Sequence, residues 1–281
     1  MRSFQDRVAV ITGAGSGIGR ALARNLAAQG CHLALSDINE ETLGETRDMI
    51  QETGIKVTAD RVDVASRDQL YAWAAEVERA HGAAHLLFNN AGVAVASSLR
   101  RVTDEDFEWL MNINFWGVVH GTRAFLPLLA RQDAAHITNV SSIFGIIAVP
   151  MNGVYNAAKF AVRGFTEALR MELELDGLPI GVTCVHPGGI KTNIARSSRY
   201  NEDDSTQSHD ELADEFERRL ARTTPERCAQ IILDAVRRNA PRVLVGADAR
   251  LIDRIQRLLP TGYQKLATKF ARRTWRRPAD G

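Results

Sequence analysis

The sequence predicts an α/β protein with a doubly wound parallel sheet, and three observations carry that reading. Short apolar runs alternate with longer helical stretches along most of the chain, the pattern of right-handed βαβ units. The first run passes through a glycine-rich turn straight into a helix. The chemically distinctive residues fall just after predicted strands, at the carboxyl ends where such sheets bind ligands.

Arg7–Thr12 reads as a strand buried on both faces. Gly13-Ala-Gly-Ser-Gly-Ile-Gly19 follows, then a helical stretch Arg20–Gln29 before Gly30. Glycines allow a close backbone approach to a pyrophosphate, and a helix N-terminus presents N–H groups and a positive dipole end. The spacing is Thr12-Gly13-x-x-x-Gly17-x-Gly19, not Gly-x-Gly-x-x-Gly. The second strand, His32–Ser36, ends at Asp37, eighteen residues beyond Gly19 and close to the ~20 of a ribose-reading carboxylate. Asp37 also suits an N-cap for a helix over Glu40–Glu52.

Lys56–Arg61 gives a third strand, closed by Val62-Asp63-Val64, and Arg67–His81 a helix. His85–Phe88 is a fourth strand, running into Asn89-Asn90-Ala91-Gly92, where asparagine can pin neighbouring strands and small residues bring backbone near a ligand. Asp104–Leu129 reads as one long helix capped by Thr103, with Asn112, Asn114 and Gly117 interrupting its apolar centre. A buried Asn114 needs hydrogen-bond partners. His136–Val140, the helix Gly153–Leu175 and Ile180–Val185 continue the alternation, and His186-Pro187-Gly188-Gly189-Ile190-Lys191-Thr192 follows the last of these strands.

Bulk properties are ordinary. The chain has 281 residues, 45% hydrophobic and 25% charged, with a net charge of +1, which gives no reason to expect nucleic acid as a partner. Cys31, Cys184 and Cys228 are scattered and odd in number, against a disulfide framework and in keeping with a reducing compartment. They form no ligand cluster, so no metal is expected. No run reaches the ~20 apolar residues of a membrane span, and a strand begins too early for a signal peptide. The expectation is a cytoplasmic protein.

Tyr155 and Lys159 are four apart in a predicted helix and therefore share a face. An ammonium beside a phenol stabilises the phenolate and lowers the tyrosine pKa from ~10, preparing it for acid–base work. Ser142 follows the strand His136–Val140 and is placed to hydrogen-bond a substrate oxygen. A bare Tyr-x-x-x-Lys is commonly a surface pair, and the surrounding motifs decide otherwise.

Together, Thr12-Gly-x-x-x-Gly-x-Gly19, Asn89-Asn-Ala-Gly92, Asn114, Ser142, Tyr155-x-x-x-Lys159 and Pro187-Gly188 resemble the short-chain dehydrogenase/reductase family. The resemblance covers about residues 5–195 firmly and reaches weakly to 246. It implies a Rossmann-like seven-stranded sheet, order 3-2-1-4-5-6-7, ending in Arg242–Val245. In that family pattern Tyr155 is the catalytic acid/base. Lys159 binds the nicotinamide ribose and lowers the Tyr155 pKa, Ser142 polarises the substrate, and Asn114 holds a relay water. Gly13, Gly17, Ile18 and Gly19 would line the pyrophosphate turn. Asp37 would read the adenosine ribose, and Asp63 with Val64 would flank the adenine. Asn90 and Ala91 would lie along the cofactor, with Pro187, Gly188, Ile190 and Thr192 near the nicotinamide. Gly189, where relatives often carry a bulkier residue, is expected to leave room near the ring. The family is commonly dimeric or tetrameric.

Asp37, with Ala14 rather than a base beside the turn, favours NAD over NADP, and NAD favours alcohol oxidation. The alternatives are an NADP-dependent ketone reductase and a non-catalytic nucleotide-binding regulator. The apolar loop Ile143–Val154, with Ile143, Phe144 and Val149 as substrate contacts, suggests a lipophilic secondary alcohol or ketone. Packing of that loop against a lid or a partner subunit is the competing reading. Residues 193–222, including Glu202-Asp-Asp204, are polar and charged, and the family resemblance implies a mobile lid over the substrate there.

Residues 1–246 thus form the oxidoreductase domain and 247–281 a basic helical extension. This tail carries Arg250, Arg254, Arg257, Lys265, Lys269, Arg272, Arg273, Arg276 and Arg277, with Leu251, Ile252, Ile255, Leu258 and Leu259 at helical spacing. It suits peripheral contact with an anionic membrane, a cover over the substrate cleft or a subunit interface. The plainer reading is a solvated face over an extra helix pair.

Overall fold

The computed structural model describes residues 1, 3–50, 54–201 and 208–274. The end of the helix expected over Glu40–Glu52, the acidic run Glu202–Asp204 and the tail residues Arg276 and Arg277 lie outside them.

The first strand, β1 (Val8–Thr12), sends Ala9 and Ile11 into one core and Val10 into another. Leu86, Leu87 and Phe88 of β4 (Leu86–Asn89) alternate the same way. Burial on both faces is why these strands read as unbroken apolar runs. With β2 (His32–Asp37), β3 (Val57–Arg61), β6 (Ala135–Val140), β7 (Ile180–Pro187) and β9 (Arg242–Val245) they form a seven-stranded parallel sheet, ordered β3-β2-β1-β4-β6-β7-β9. Two short strands, β5 (Val95–Ala96) and β8 (Arg199–Tyr200), pair separately. Omitting them, the sheet order is the expected 3-2-1-4-5-6-7.

One face of the sheet is covered by α1 (Gly17–Ala27), α2 (Glu40–Asp48) and α8 (Pro225–Arg237), whose Leu22, Leu26, Leu43, Ile232 and Leu233 are buried. The other carries α3 (Arg67–His81), α5 (Gly117–Ala130) and α6 (Gly153–Leu175), which bury Leu70, Trp73, Phe125, Leu129 and Leu169. Trp73 meets Phe125 edge-on at 5.1 Å. Beyond the sheet lie α7 (His209–Arg219), α9 (Ala247–Leu258) and α10 (Tyr263–Thr274).

The long helix expected over Asp104–Leu129 is broken. α4 (Asp104–Met111), capped by Thr103, passes into a π-helical turn at Asn112–Trp116 and then into α5. Asn114, fully buried in that turn, is held by the backbone of Val93: its Oδ1 accepts Val93 N–H and its Nδ2 donates to Val93 C=O, both at 2.8 Å. A widened turn of this kind is frequent at functional sites. Helical periodicity cannot reveal it, because both flanking segments keep the α period.

A buried polar row ties β4 to β6. Asn89 and Asn139 are register partners, and Asn89 Nδ2 donates to Asn139 Oδ1 at 2.8 Å and to Thr122 Oγ1 at 3.0 Å. Asn139 Nδ2 donates to Thr166 Oγ1 at 3.0 Å. Such a chain links the sheet to α5 and α6, leaving Asn89 Oδ1 buried without a partner. No described helix is long and apolar enough to cross a membrane.

Candidate active site

The glycine turn between β1 and α1 is built for backbone proximity. Gly13 and Gly17 have φ of +65° and +50°, values that glycine adopts without a Cβ penalty. A Cβ on Gly13 would lie 2.8 Å from Ala91 Cα, and one on Gly17 would lie 3.0 Å from Thr192 Cγ2. The loops after β1, β4 and β7 therefore converge. Asn90 fastens two of them: its Nδ2 donates to Thr12 C=O at 2.9 Å and to Gly13 C=O at 3.1 Å. Thr12 Oγ1 accepts the N–H groups of Asn90 and Ala91. In this structure Asn90 acts through the turn.

The turn fits a dinucleotide pyrophosphate. Ser16 gives α1 no side-chain cap, and the first turn holds no acidic residue, so the helix start suits an anion. At the end of β2, Asp37 Oδ2 accepts Gly15 N–H at 2.9 Å and Oδ1 accepts Asn39 N–H at 3.0 Å. Each oxygen keeps a further lone pair for ribose hydroxyls. The helix cap expected of Asp37 belongs instead to Asn39, whose side chain accepts Thr42 N–H at 3.1 Å. Arg20 is engaged beneath the turn by Gly15 C=O, Thr42 C=O and Glu45. After β3, Asp63 turns the chain by accepting Ala65 N–H at 2.9 Å, and Val64 packs against Gly117. Ile18 packs partly against the core, and Ile190 is buried within it; the Ile190 side chain thus serves the fold.

Ser142, Tyr155 and Lys159 come together at the end of β6. Ser142 caps a 3-10 turn, Ile143–Gly145, by accepting Phe144 N–H at 3.1 Å, and its hydroxyl is near enough to the Tyr155 phenol to favour the phenolate. Lys159 is 3% exposed. Its Nζ donates to Val140 C=O at 3.0 Å and lies 5.5 Å from the centre of the Tyr155 ring. Gly92 admits the group: a Cβ there would lie 3.2 Å from Asn114 Oδ1 and 3.5 Å from Lys159 Nζ.

The electrostatics correct one expectation. Burial pushes the Tyr155 phenol up to about 12, with the neighbouring Ser142 hydroxyl opposing the shift. Burial lowers Lys159 to about 8. The ammonium is directed at a backbone carbonyl, so the lowered phenol pKa expected from the shared helix face does not arise from this pair alone.

Three supporting side chains have no motif in the sequence. His186 is fully buried, and its Nδ1 donates to Ser142 C=O at 2.8 Å; burial holds the ring neutral, at about 4. Asp248 accepts Gly189 N–H at 2.7 Å. Tyr263 Oη accepts Ala148 N–H at 3.1 Å. Gly189 also departs from expectation: a Cβ there would lie 1.9 Å from Leu220 C=O. Its missing side chain makes way for the backbone of Leu220 and Ala221 rather than space near a ring.

Phe144 meets the Tyr155 ring edge-on at 6.2 Å. Ile143, by contrast, is 6% exposed and packed with the C-terminal extension, with Val149 at the margin of the same cluster. Across residues 193–222, β8 pairs with β5, and Arg199 lies 3.8 Å over the Trp109 ring while binding Asp106 at 2.7 Å.

The family model described as short chain dehydrogenase matches residues 7–203. A Mycobacterium tuberculosis (strain H37Rv) protein whose name places it among the oxidoreductases, SadH, is 47% identical over 266 residues, covering 95% of each chain. The C alpha-dehydrogenase of Sphingobium sp. (strain SYK-6) is 32% identical, covering 89% of this chain and 84% of its own. Among solved structures, a short chain dehydrogenase/reductase from Burkholderia phymatum in complex with NAD superposes with a TM-score of 0.86 at 33% identity, over 100% of this chain and 99% of the other. A match over most of the chain, with the Ser142–Tyr155–Lys159 cluster at the carboxyl edge of a doubly wound sheet, means that this protein belongs to the short-chain dehydrogenase/reductase family of oxidoreductases.

Proposed function

We propose that the protein is an NAD-dependent dehydrogenase of a lipophilic secondary alcohol, with Tyr155 as the acid/base. The observation that carries this is the Ser142 hydroxyl beside the Tyr155 phenol, with the Nζ of the buried Lys159 5.5 Å from the centre of the Tyr155 ring. The nicotinamide of the bound dinucleotide supplies the hydride acceptor, or the donor in the reverse direction.

The chain's own residues do the rest. Ser142 orients the substrate oxygen and donates a hydrogen bond to it. Tyr155 Oη takes the alcohol proton during oxidation and returns it during reduction. Lys159, as an ammonium, favours the Tyr155 phenolate that receives the alcohol proton. Asn114, whose side chain is consumed by Val93, holds the π-turn in place beside Lys159 and supports a relay water there. Asp37 selects the dinucleotide, since its carboxylate suits ribose hydroxyls and repels a 2′-phosphate. The complex of the Burkholderia phymatum relative with NAD supports the same choice.

Phe144, edge-on to Tyr155, and the apolar surroundings of the loop support a lipophilic substrate. Homo-oligomerisation, common among related enzymes, belongs to the same reading. Turnover of a panel of hydrophobic and polyol secondary alcohols with NAD and NADP tests it. Preference for hydrophobic alcohols with NAD is expected; faster turnover with NADP, or preference for small polyols, contradicts it.

A further inference from the structure

The C-terminal extension lies beyond residues 7–203, where the family model matches, yet it reaches two loops of the site. The first turn of α9 carries Asp248, whose carboxylate accepts Gly189 N–H at 2.7 Å. The fit is close: a Cβ on Gly188 would lie 2.2 Å from Asp248 Oδ2. Gly246, with φ of +105°, turns the chain from β9 into this contact.

From there α9 lays Ala249, Ile252 and Ile255 on the loop after Ser142. Ala249 is 0% exposed, and Ile143, Ile146 and Ile147 are 6%, 2% and 8% exposed in the same cluster. Tyr263, 8% exposed at the start of α10, closes the cluster and accepts Ala148 N–H through its hydroxyl. The loop is held on its other side by α6, where Asn156 Nδ2 donates to Val149 C=O at 2.8 Å. The same loop presents Phe144 to the Tyr155 ring.

We infer that the C-terminal extension is the back wall of the substrate site, and that Tyr263 is a specificity-determining positioning residue acting through Ala148. Tyr263 does not meet the reacting atoms. Its hydroxyl fixes the backbone at Ala148, and its ring with α9 fixes Ile143 and Ile147, so the loop keeps one shape opposite the catalytic phenol. A large apolar substrate that leans on the loop benefits from that single shape. A small alcohol, held by Ser142 and Tyr155 alone, does not. The inference deepens the proposed dehydrogenase activity and rests on it for the word substrate; the clamp itself rests on geometry.

Tyr263→Phe tests it, because the ring and its packing stay while the hydroxyl goes. Two measurements on the full chain separate the clamp from the activity. Amide hydrogen exchange of residues 143–149 should rise roughly fivefold at Ala148, as expected for the loss of one net hydrogen bond. In the alcohol panel, KM for the largest apolar alcohols should rise severalfold, with kcat, NAD affinity and turnover of the smallest alcohols unchanged. Tyr263→Ala should enlarge both effects.

Unchanged exchange at Ala148 overturns the clamp. A uniform fall in kcat for every alcohol, in step with a lower Tm, overturns the specificity role and leaves Tyr263 as packing. If wild-type protein turns over no alcohol while exchange rises in Tyr263→Phe, the clamp stands and the dehydrogenase reading fails.

Discussion

The hydroxyl of Ser142 lies beside the phenol of Tyr155 and favours its phenolate, although one residue caps a 3-10 turn after β6 and the other lies in the first turn of α6. The pairing requires the chain between them to fold back over its own strand. It also means that Ser142 does two jobs, since its oxygen accepts Phe144 N–H as well. Replacing Ser142 with alanine should lower kcat by roughly 10²–10³, the usual effect of losing one donor aimed at a reacting oxygen. NAD affinity should be unchanged. Steady-state kinetics with an alcohol the wild-type protein accepts, alongside a direct binding measurement, checks both parts.

Asp37 should determine cofactor choice. It makes two backbone hydrogen bonds, so Asp37→Asn is a cleaner change than removal of the side chain. The charge goes and an acceptor remains. The ratio of kcat/KM for NAD over NADP should fall on the order of tenfold to a hundredfold, in line with the loss of a charge-assisted hydrogen bond. An unchanged ratio would show that selectivity comes from elsewhere in the turn.

Gly189 should not tolerate a side chain. With Leu220 C=O 1.9 Å from the position of a Cβ, Gly189→Ala must push away the segment in which Arg222 and Thr223 also donate to Gly189 C=O. About 1–3 kcal/mol of stability should be lost, as for an overpacked site. A denaturant titration reads the loss directly, and a variant as stable as wild type would mean that the backbone at Leu220 sits farther off.

Stability should fall as pH drops below neutrality. His136 and His186, both buried, are lowered to about 3 and about 4 from an ordinary 6.5. Depressed folded-state values mean that the unfolded chain binds these protons first. Their stabilisation is therefore complete above pH 6.5 and is lost as pH falls toward the folded values. Between pH 7 and pH 5 each ring should cost on the order of 2 kcal/mol. His186→Gln should flatten the pH dependence of the denaturant midpoint; an equally steep dependence in that variant would mean that His186 contributes no part of it.

Much of this was written in the linear sequence, and the rest depends on distance in the fold. Strand positions followed from runs such as Arg7–Thr12 and His85–Phe88, because burial on both faces demands continuous apolar residues. The site motifs were legible because backbone proximity demands glycine and proton transfer demands Tyr, Lys and Ser at set spacings. The π-turn at Asn112–Trp116 was hidden, since its cause is the backbone of Val93 rather than a local preference. Asn139 could have been noticed as a second buried asparagine following the same strand rhythm as Asn89. Arg199 with Trp109, Asp248 with Gly189 and Tyr263 with Ala148 carry no local signature at all. The phenol was read as acidified by Lys159; its burial, which raises it, depends on packing that spacing does not express.

The most direct measurement is NADH formation by wild type and Tyr155→Phe with a hydrophobic secondary alcohol, paired with NAD binding to each. The account predicts turnover by the wild type, and in the variant a loss of kcat/KM of at least about 10², the low end of acid–base catalysis, with NAD bound equally well. Equal turnover by the two proteins would contradict it.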